Sequence, residues 1–578
     1  MAETARQAAG RIDPISLEIQ WSRLVSIMDE VDAAVVRTAF STIVGESRDF
    51  GCVLLDRDGH SLAQSQLSSP PFTVELPRTA KAILSIFEED MVSGDVFLQN
   101  DPWIGTGHLP DISIIMPVFY GGCRVAFVAV AAHVSDIGGR LDFLDARDLY
   151  EEGLRILPCR IVKAGKPNEE LFDIIRANVR GPEMVLGDIN AIIGAELVGA
   201  RRLASFLEEY GAEQFRNLGQ EILNRSEQAM RRALAELPDG TYPYEHVTDG
   251  PHGPVRIRVT VSKTSDTIRL DFTGTSPELP DCAINCTENA SYAAAVYPIK
   301  CSLAPNIPNN EGLYRPITFH APKGCLLNTT FPHPVKARSK VSMQVHMAIY
   351  GALADAMPRK VQAGSGGFWA VHINGIDKEG KALGAHILPW GGKGAVDGMD
   401  GHPTMPFPSN GTVTPTEIVE NRVPIRIQYK RLLCDSAGPG KYRGGLGQEI
   451  SFMCIADYPL YIGVRPDKMD YPPPGINGGQ PGARGSFTVN GARGSYGTTM
   501  PIIVQDGDEV VIRIPGGGGY GDPSERSPDA VAHDVLLGFV SAECAGEVYG
   551  VEFSTDGSVN DDATASLRQS AQEKRMAD

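Results

Sequence analysis

The sequence has no pair of cysteines spaced as CxxC, although it holds ten of them, at positions 52, 123, 159, 282, 286, 301, 325, 434, 454 and 544. The nearest two, Cys282 and Cys286, form an isolated CxxxC in loop-like text, which argues against a zinc ribbon. Buried free thiols in a reducing compartment are the expectation. No apolar run approaches the roughly 18 residues of a membrane helix. The opening text MAETARQAAGRIDPIS lacks an apolar h-region, so no secretory signal is read and a soluble, cytoplasmic protein is expected. A GxSxG elbow is missing, as is the GxxxxGK[ST] phosphate loop. Positive charge is also short. Lys and Arg number 53 against 71 Asp and Glu, a net charge of −18, without the basic face that nucleic acid requires. Anionic small molecules need only a local cationic pocket and stay open.

What is present reads as globular. Of 578 residues, 42% are apolar and 21% charged, which supports a sizeable core. With 62 Gly and 41 Pro, many turns and much β structure are expected. The spacing of Leu17, Trp21, Leu24, Met28, Val31 and Val35 predicts a helix over residues 13–45, with Asp13 as cap and Pro14 in its first turn. FGCVLLD and LAQSQ, joined by RDGHS, read as a hairpin. A second helix is expected over 74–89. ISIIMPVFY and RVAFVAVAAHV, separated by GGC, read as a second hairpin buried on both faces. Residues 168–236 are helical text, cut into two or three helices by Gly181-Pro182 and Gly211. Strands follow at VRIRVTVSK and TIRLDFTGT, then helices near 289–303 and 340–357, then turn-rich text from about 410. A last helix is expected at 527–545, before a frayed polar tail. The fold class is mixed α+β. The expected organisation is a metal-bearing α/β region at 1–165, a helical segment at 166–238, mixed α/β at 239–410, β-rich text at 411–560 and a tail at 561–578.

Potential metal ligands concentrate in NDPWIGTGHLPDI. His108 and Asp111 stand three apart, and Pro110 between them disfavours a regular helix. Gly105 and Gly107 let the loop bend beside them. His133 and Asp136 follow at the end of the strand pair, where a hairpin path can return His133 to His108. Two imidazoles with carboxylates suit zinc, manganese or iron, and an open position would activate water or polarise a carbonyl. HxxD with a distant His is equally compatible with unrelated polar loop residues. Asp49, in ESRDFGC, is a further carboxylate, or else the ion-pair partner of Arg48.

Four other features are ambiguous. The glycine run Pro515–Gly519 lacks the Lys and following helix of a phosphate loop and reads as a tight structural turn. NCTENA, PNNEGLYRP and RGGLG could orient a polar substrate or simply turn the chain.

These segments together resemble the hydantoinase B/oxoprolinase family. The matching text is DPISLEI (13–19), RTAFS to ESRDFGC (37–52), GDVFLQNDPWIGTGHLPDI (94–112), AHVSDIGG (132–139), YEEGLRI (150–156), NEGLYRP (310–316), GPGKYRGGLGQ (438–448), PPPGINGG (472–479) and PGGGGYGDP (515–523). The resemblance runs in order over nearly the whole chain. It covers B-type subunits of ATP-dependent N-methylhydantoinase, 5-oxoprolinase and caprolactamase, and subunits of acetone and acetophenone carboxylases.

The resemblance implies a divalent ion, zinc or manganese, held by Asp49, His108, Asp111 and His133. It implies Asp101 and Asp136 as alternative ligands or supporting carboxylates, with Phe72, Asn100, Asp101 and Glu152 near the substrate. It also implies a partner, an A-type subunit of the actin/hexokinase-like ATPase class, which binds ATP and Mg and phosphorylates the substrate carbonyl oxygen. The implied activity is ATP-dependent ring opening of a hydantoin, 5-oxoproline or lactam. Ketone carboxylation and a non-catalytic scaffold for the ATPase are the alternatives. Relatives often carry a His-Leu-Gly-Ser-Met-like stretch where this chain has SSPPFTVELP (68–77), and RLDFLDARDLYEEG (140–153) also departs. Both differences bear on the substrate, and the first, if it borders the substrate, implies a more apolar pocket with Phe72 prominent.

Overall fold

A computed structural model describes residues 12–140, 144–494 and 502–577. Leu141–Phe143 of the departing segment, most of the N-terminal text read for a signal, and the last tail residue lie outside the described residues. The chain divides into two compact units, one of 1–241, 260–342 and 409–412, the other of 242–259, 343–408 and 413–578. Mixed α and β structure is found throughout, as expected.

The first unit is organised around a seven-stranded sheet, in the order β2-β1-β5-β4-β3-β6-β7. Its strands are β1 (Phe50–Asp56), β2 (Ser61–Gln64), β3 (Val96–Gln99), β4 (Asp111–Tyr120), β5 (Cys123–His133), β6 (Cys159–Lys163) and β7 (Lys166–Pro167). Both faces are covered, which is why β4 and β5 are apolar without alternation. Leu54, Ile114 and Val128 point into one core with Leu24 and Met28 of α1 (Pro14–Thr38) and with Ile189 and Phe206. Val53, Ile115, Phe127 and Ala129 point into the other, with Phe72, Leu76 and Ile83 of α3 (Pro70–Phe87).

The helix expected over 13–45 breaks into α1 and the one-turn α2 (Thr42–Gly45). The cause is tertiary: the Asp188 carboxylate takes the Phe40 and Ser41 amides at 2.7 and 3.1 Å, and Ser41 then caps α2. The helix expected to start at Val74 starts at Pro70. Two prolines suit its first turn, and Pro77 is carried inside it. The 168–236 text resolves into three helices, α4 (Glu169–Asn178), α5 (Pro182–Tyr210) and α6 (Ala212–Ala235). The hairpin β4–β5 turns on Gly121 and Gly122, both at positive φ, the requirement of a two-residue turn matching strand twist.

In the second unit, two sheets share one core. One runs, in spatial order, Ala382–Ile387, Ala370–Ile376, Leu460–Arg465 and Ile502–Val504, and the other Ile425–Leu432, Gln448–Cys454, Glu509–Ile514, Ser486–Val489 and Ala492–Arg493. Trp369, Ile373, Phe452, Ile462 and Ile512 fill the space between them. Next to this core the turn-rich text forms a lattice of extended glycine segments. Gly517 N–H donates to the Gly445 carbonyl, Gly445 to Lys393, Gly438 to Gly517, and Gly518 to Gly364. The Pro515–Gly519 run is therefore a hydrogen-bonded segment of this lattice, not the expected tight turn, and RGGLG is another. Residues 527–545 form two helices, Pro528–Leu536 and Ala542–Glu547, because Gly538 at φ 70° ends the first. The tail expected to fray is a helix, Asp561–Ala577. Among the described residues no helix is long and apolar enough to cross a membrane.

Candidate metal centre

The hairpin register builds the centre. Asp111, first residue of β4, pairs with His133, last residue of β5. One strand further, the His133 amide donates to the Asp49 carbonyl at 3.0 Å. His108 is brought in by the loop. Gly107 lies at φ 97°, and a Cβ there would meet Ala290 Cβ at 2.7 Å and Arg338 Cδ at 2.8 Å, so only glycine allows the close approach. Among the described residues His108, Asp111 and His133 form one group whose ligand atoms all lie within 4.8 Å of each other.

Asp111 is the hub. Its Oδ2 accepts from Thr106 Oγ1 and from Arg338 Nη2, each at 2.6 Å. That leaves Oδ1 facing His108 Nε2 at 2.8 Å and His133 Nδ1 at 2.9 Å. His108 Nδ1 lies 3.0 Å from the Lys336 carbonyl. A carbonyl can only accept, so the neutral ring carries its proton on Nδ1 and turns the Nε2 lone pair toward the carboxylate. Two lone pairs at this distance require a positive charge between or beside them. A proton is disfavoured: burial, then the nearby Arg338, pull His108 down to about 4, with Asp111 opposing. Burial alone would raise the Asp111 carboxyl, but its positive neighbours and the histidine hydrogen bonds hold it well below its ordinary range. The guanidinium paired with this carboxylate is that of Arg338, 2.6 Å away. A neutral imidazole beside an ionised carboxylate is the state metal binding needs, so the donor set fits a divalent cation.

Asp49 sits beside the group, and its carboxylate is not among the three clustered ligands. Burial pushes it up, His133 opposes and Asp111 adds. Arg48, its alternative partner, pairs with Asp32 instead. The remaining candidates stand further out. Asn100 uses its amide on the Leu109 and Leu154 carbonyls and the Ile156 amide. Asp101 holds Arg155 and the Trp103 amide. Asp136 is paired with the Arg180 side chain and amide. Glu152 Oε1 accepts from the Val335 and Lys336 amides, both at 2.8 Å, and so fixes the backbone that orients His108. Phe72 is a core residue packed against the sheet, a correction to its expected place on a pocket wall; the helix starts early enough to turn it inward. NCTENA and PNNEGLYRP serve the backbone. Asn285 bonds the Leu279 and Pro334 carbonyls, and Asn310 binds Ser226 and the Gly312 amide.

Four residues escaped sequence reasoning. Thr106 lies in the loop already singled out. Arg338 and the Lys336 carbonyl arrive from more than 200 positions away, in KARSK text with no periodic or motif signal. Glu75 is wholly buried behind the loop, on an α3 turn that reads as ordinary helix.

A sequence model of the hydantoinase B/oxoprolinase family matches residues 13–523. A protein provisionally named as the B-type subunit of a D-/L-hydantoinase, from Pseudomonas sp. strain NS671, is 33% identical over 97% of this chain and 98% of its own length. The beta subunit of the caprolactamase from Pseudomonas jessenii is 28% identical over 96% of this chain and 99% of its own. The crystal structure of the ATP-dependent caprolactamase of that organism superposes with a TM-score of 0.89 at 27% identity, covering 96% of this chain and all of that one. A nucleotide-free acetone carboxylase shares the fold, with a TM-score of 0.88 at 22% identity, over 98% of this chain and 84% of its own. With an ordered family match over most of its length and a hydantoinase relative aligned nearly end to end, the chain belongs to the hydantoinase B/oxoprolinase family.

Proposed function

We propose that this chain is the B-type subunit of a cytoplasmic, ATP-dependent cyclic-amide hydrolase that opens a hydantoin, 5-oxoproline or lactam ring. The observation that carries this reading is the Asp111 hub, with His108 and His133 turned onto one carboxylate oxygen. His108, Asp111 and His133 would hold a divalent ion, zinc or manganese, with Asp49 as fourth ligand from the adjoining strand. When bound, such an ion supplies Lewis acidity for a carbonyl or for water. The chain's own residues do the positioning. Arg338 and Thr106 fix the Asp111 carboxylate, and Glu152 and Lys336 fix the His108 ring. Asp101 and Asp136 brace the surrounding loops through Arg155 and Arg180.

The names of the relatives, which are those of subunits, support a partner. In this reading the partner is an A-type ATPase that binds ATP with Mg and phosphorylates the amide oxygen. An unstrained amide is a poor electrophile, and phosphorylation makes its oxygen a leaving group. The test is a purified complex of the two chains, assayed for substrate-dependent ATP hydrolysis with ring opening, alongside elemental analysis. Near-stoichiometric metal in the wild type and its loss with activity in His108→Ala are expected. Full activity in that variant removes the centre from the reaction. Bicarbonate-dependent turnover of a ketone replaces the hydrolase reading with a carboxylase, and metal-free protein without turnover replaces it with a scaffold.

A further inference from the structure

Glu75 has no surface exposure, and neither carboxyl oxygen has a hydrogen bond of ordinary geometry. A buried polar group left without a partner is destabilising, so such a carboxyl calls for a role. Its position supplies one. Glu75, Arg78 and Thr79 share a face of α3 at i, i+3 and i+4. Thr79 Oγ1 donates to the Ile104 carbonyl at 3.3 Å. Arg78 donates to Asn289 at 2.7 Å, and Asn289 in turn donates to the Trp103 and Gly105 carbonyls. That face is therefore laid against the loop that carries Thr106, His108 and Asp111. One turn earlier, Phe72 and Thr73 pack on Gly51, where a Cβ would meet each at 3.0 Å, two residues beyond Asp49. Glu75 thus stands between the segments that deliver Asp49 and His108.

Glu196 is the instructive contrast. It too is fully buried, with neither oxygen in a hydrogen bond of ordinary geometry. Burial raises it, and only the Val130 backbone opposes, with no charged side chain acting on it among the described residues. Burial also pushes the Glu75 carboxyl well up, but here Arg338 opposes, Asp111 adds and Arg78 opposes. Two of those three are members of the centre.

We propose that Glu75 is the proton donor of ring opening, a carboxylic acid held against the loop that carries His108 and Asp111. This rests on the cyclic-amide reading above. As the ring C–N bond breaks, its electron pair goes to nitrogen, which takes the Glu75 proton. Water forms the new C–O bond to the phosphorylated carbon; one of its two protons goes to the ring nitrogen and the other returns to the Glu75 carboxylate, so the group ends as it began. The acyl phosphate left on the opened chain is hydrolysed by a second water to carboxylate and inorganic phosphate. An acid that must donate needs to hold its proton at neutral pH, and an enclosed carboxyl without hydrogen-bond donors does so.

The test uses the complex of both chains and the isosteric Glu75→Gln. Metal content and thermal midpoint are expected to stay at the wild-type level or above, while kcat falls about 10²–10⁴-fold at unchanged KM. The infrared spectrum of the wild type at neutral pH is expected to show a protonated-carboxyl band that is lost in Glu75→Gln and kept in Glu196→Gln. Wild-type kcat in Glu75→Gln, or no band lost with it, overturns the assignment. If Glu75→Gln does not fold, Glu75→Asp decides: an alkaline limb of the kcat profile displaced from the wild type supports the donor, and an unmoved limb overturns it. Failure of the wild-type complex to open any cyclic amide overturns the functional reading, and this inference with it. A lost band without a fall in kcat overturns only this inference.

Discussion

The centre in the first unit and the glycine lattice in the second are built on opposite principles. Around Asp111 the geometry is made by side chains: a carboxylate, a guanidinium, a hydroxyl and two imidazoles, each oriented by another. In the lattice it is made by backbone alone, with amides and carbonyls of Gly364, Gly438, Gly445, Gly517 and Gly518 pairing at distances that leave no room for a Cβ. The first arrangement can be retuned residue by residue, because each partner has alternatives of similar size. The second is all-or-none, because any side chain falls where a neighbouring carbonyl already is.

The strongest way to break the comparison is Gly392→Ala. Its Cβ would fall inside the van der Waals shells of the Gly445 carbonyl and the Gly517 nitrogen. Loss of more than about 4 kcal/mol is expected, beyond the ordinary range of single substitutions, and is read as failure to yield soluble, folded chain. Soluble protein with a wild-type melting curve would show that the lattice can yield. Arg338→Met is expected to be severe but local. It leaves the Asp111 carboxylate buried with its charge uncompensated, a loss of about 3–5 kcal/mol. Thermal melting and divalent-cation titration check this, with affinity falling alongside stability.

The second unit also holds a polar cluster that titrates. His246 is drawn down to about 4 by burial, with Lys468 adding. His346 is drawn down to about 3 by burial, with Lys468 and His246 adding. Both are neutral when folded, and an unfolded histidine takes its proton near pH 6.5. Below that pH the unfolded chain binds more protons, so stability present at neutral pH is lost as the pH falls from about 6.5 toward 4. A loss on the order of 3 kcal/mol per histidine is expected from shifts of this size. Denaturation midpoints between pH 7.5 and 4.5 measure it, and His346→Phe should flatten the decline. An equally steep decline in that variant would place the acid sensitivity elsewhere. The smallest effect belongs to Gly194→Ala. This glycine lies in α5, and a Cβ added to it would meet nothing within 4 Å, so a gain of about 0.5–1 kcal/mol is expected. Circular-dichroism melting measures it. Set beside Gly392→Ala, it separates glycines kept for space from glycines merely tolerated.

Much of the local structure was legible from the residues. The β4–β5 hairpin, its double burial and its glycine turn were written in two apolar runs around GGC. The three-helix stretch was written in Gly181-Pro182 and Gly211. Local signals failed where a distant group intervened. The break after Thr38 depends on Asp188, and the glycine segments depend on each other, so a window around Pro515–Gly519 shows only flexibility. The site divides the same way. His108, Asp111 and His133 stood out as ligand types on a bent loop and at a strand end. Asp49 rose above an Arg48 ion pair through the family resemblance. Asn100, Asp101 and Glu152, also placed by resemblance, hold backbone and a guanidinium rather than an open pocket.

What the sequence determined by itself, then, was the set of ligand-type residues on the loop and the hairpin, since residue type and period-two patterning act over a few positions. Only the tertiary structure decided that Asp111 would face both histidines with one oxygen. Arg338 and Thr106 must first occupy the other, and Glu152 must hold the Lys336 carbonyl on His108. Hydrogen-bond direction and burial depend on atoms brought together from across the chain, and no spacing along it encodes them.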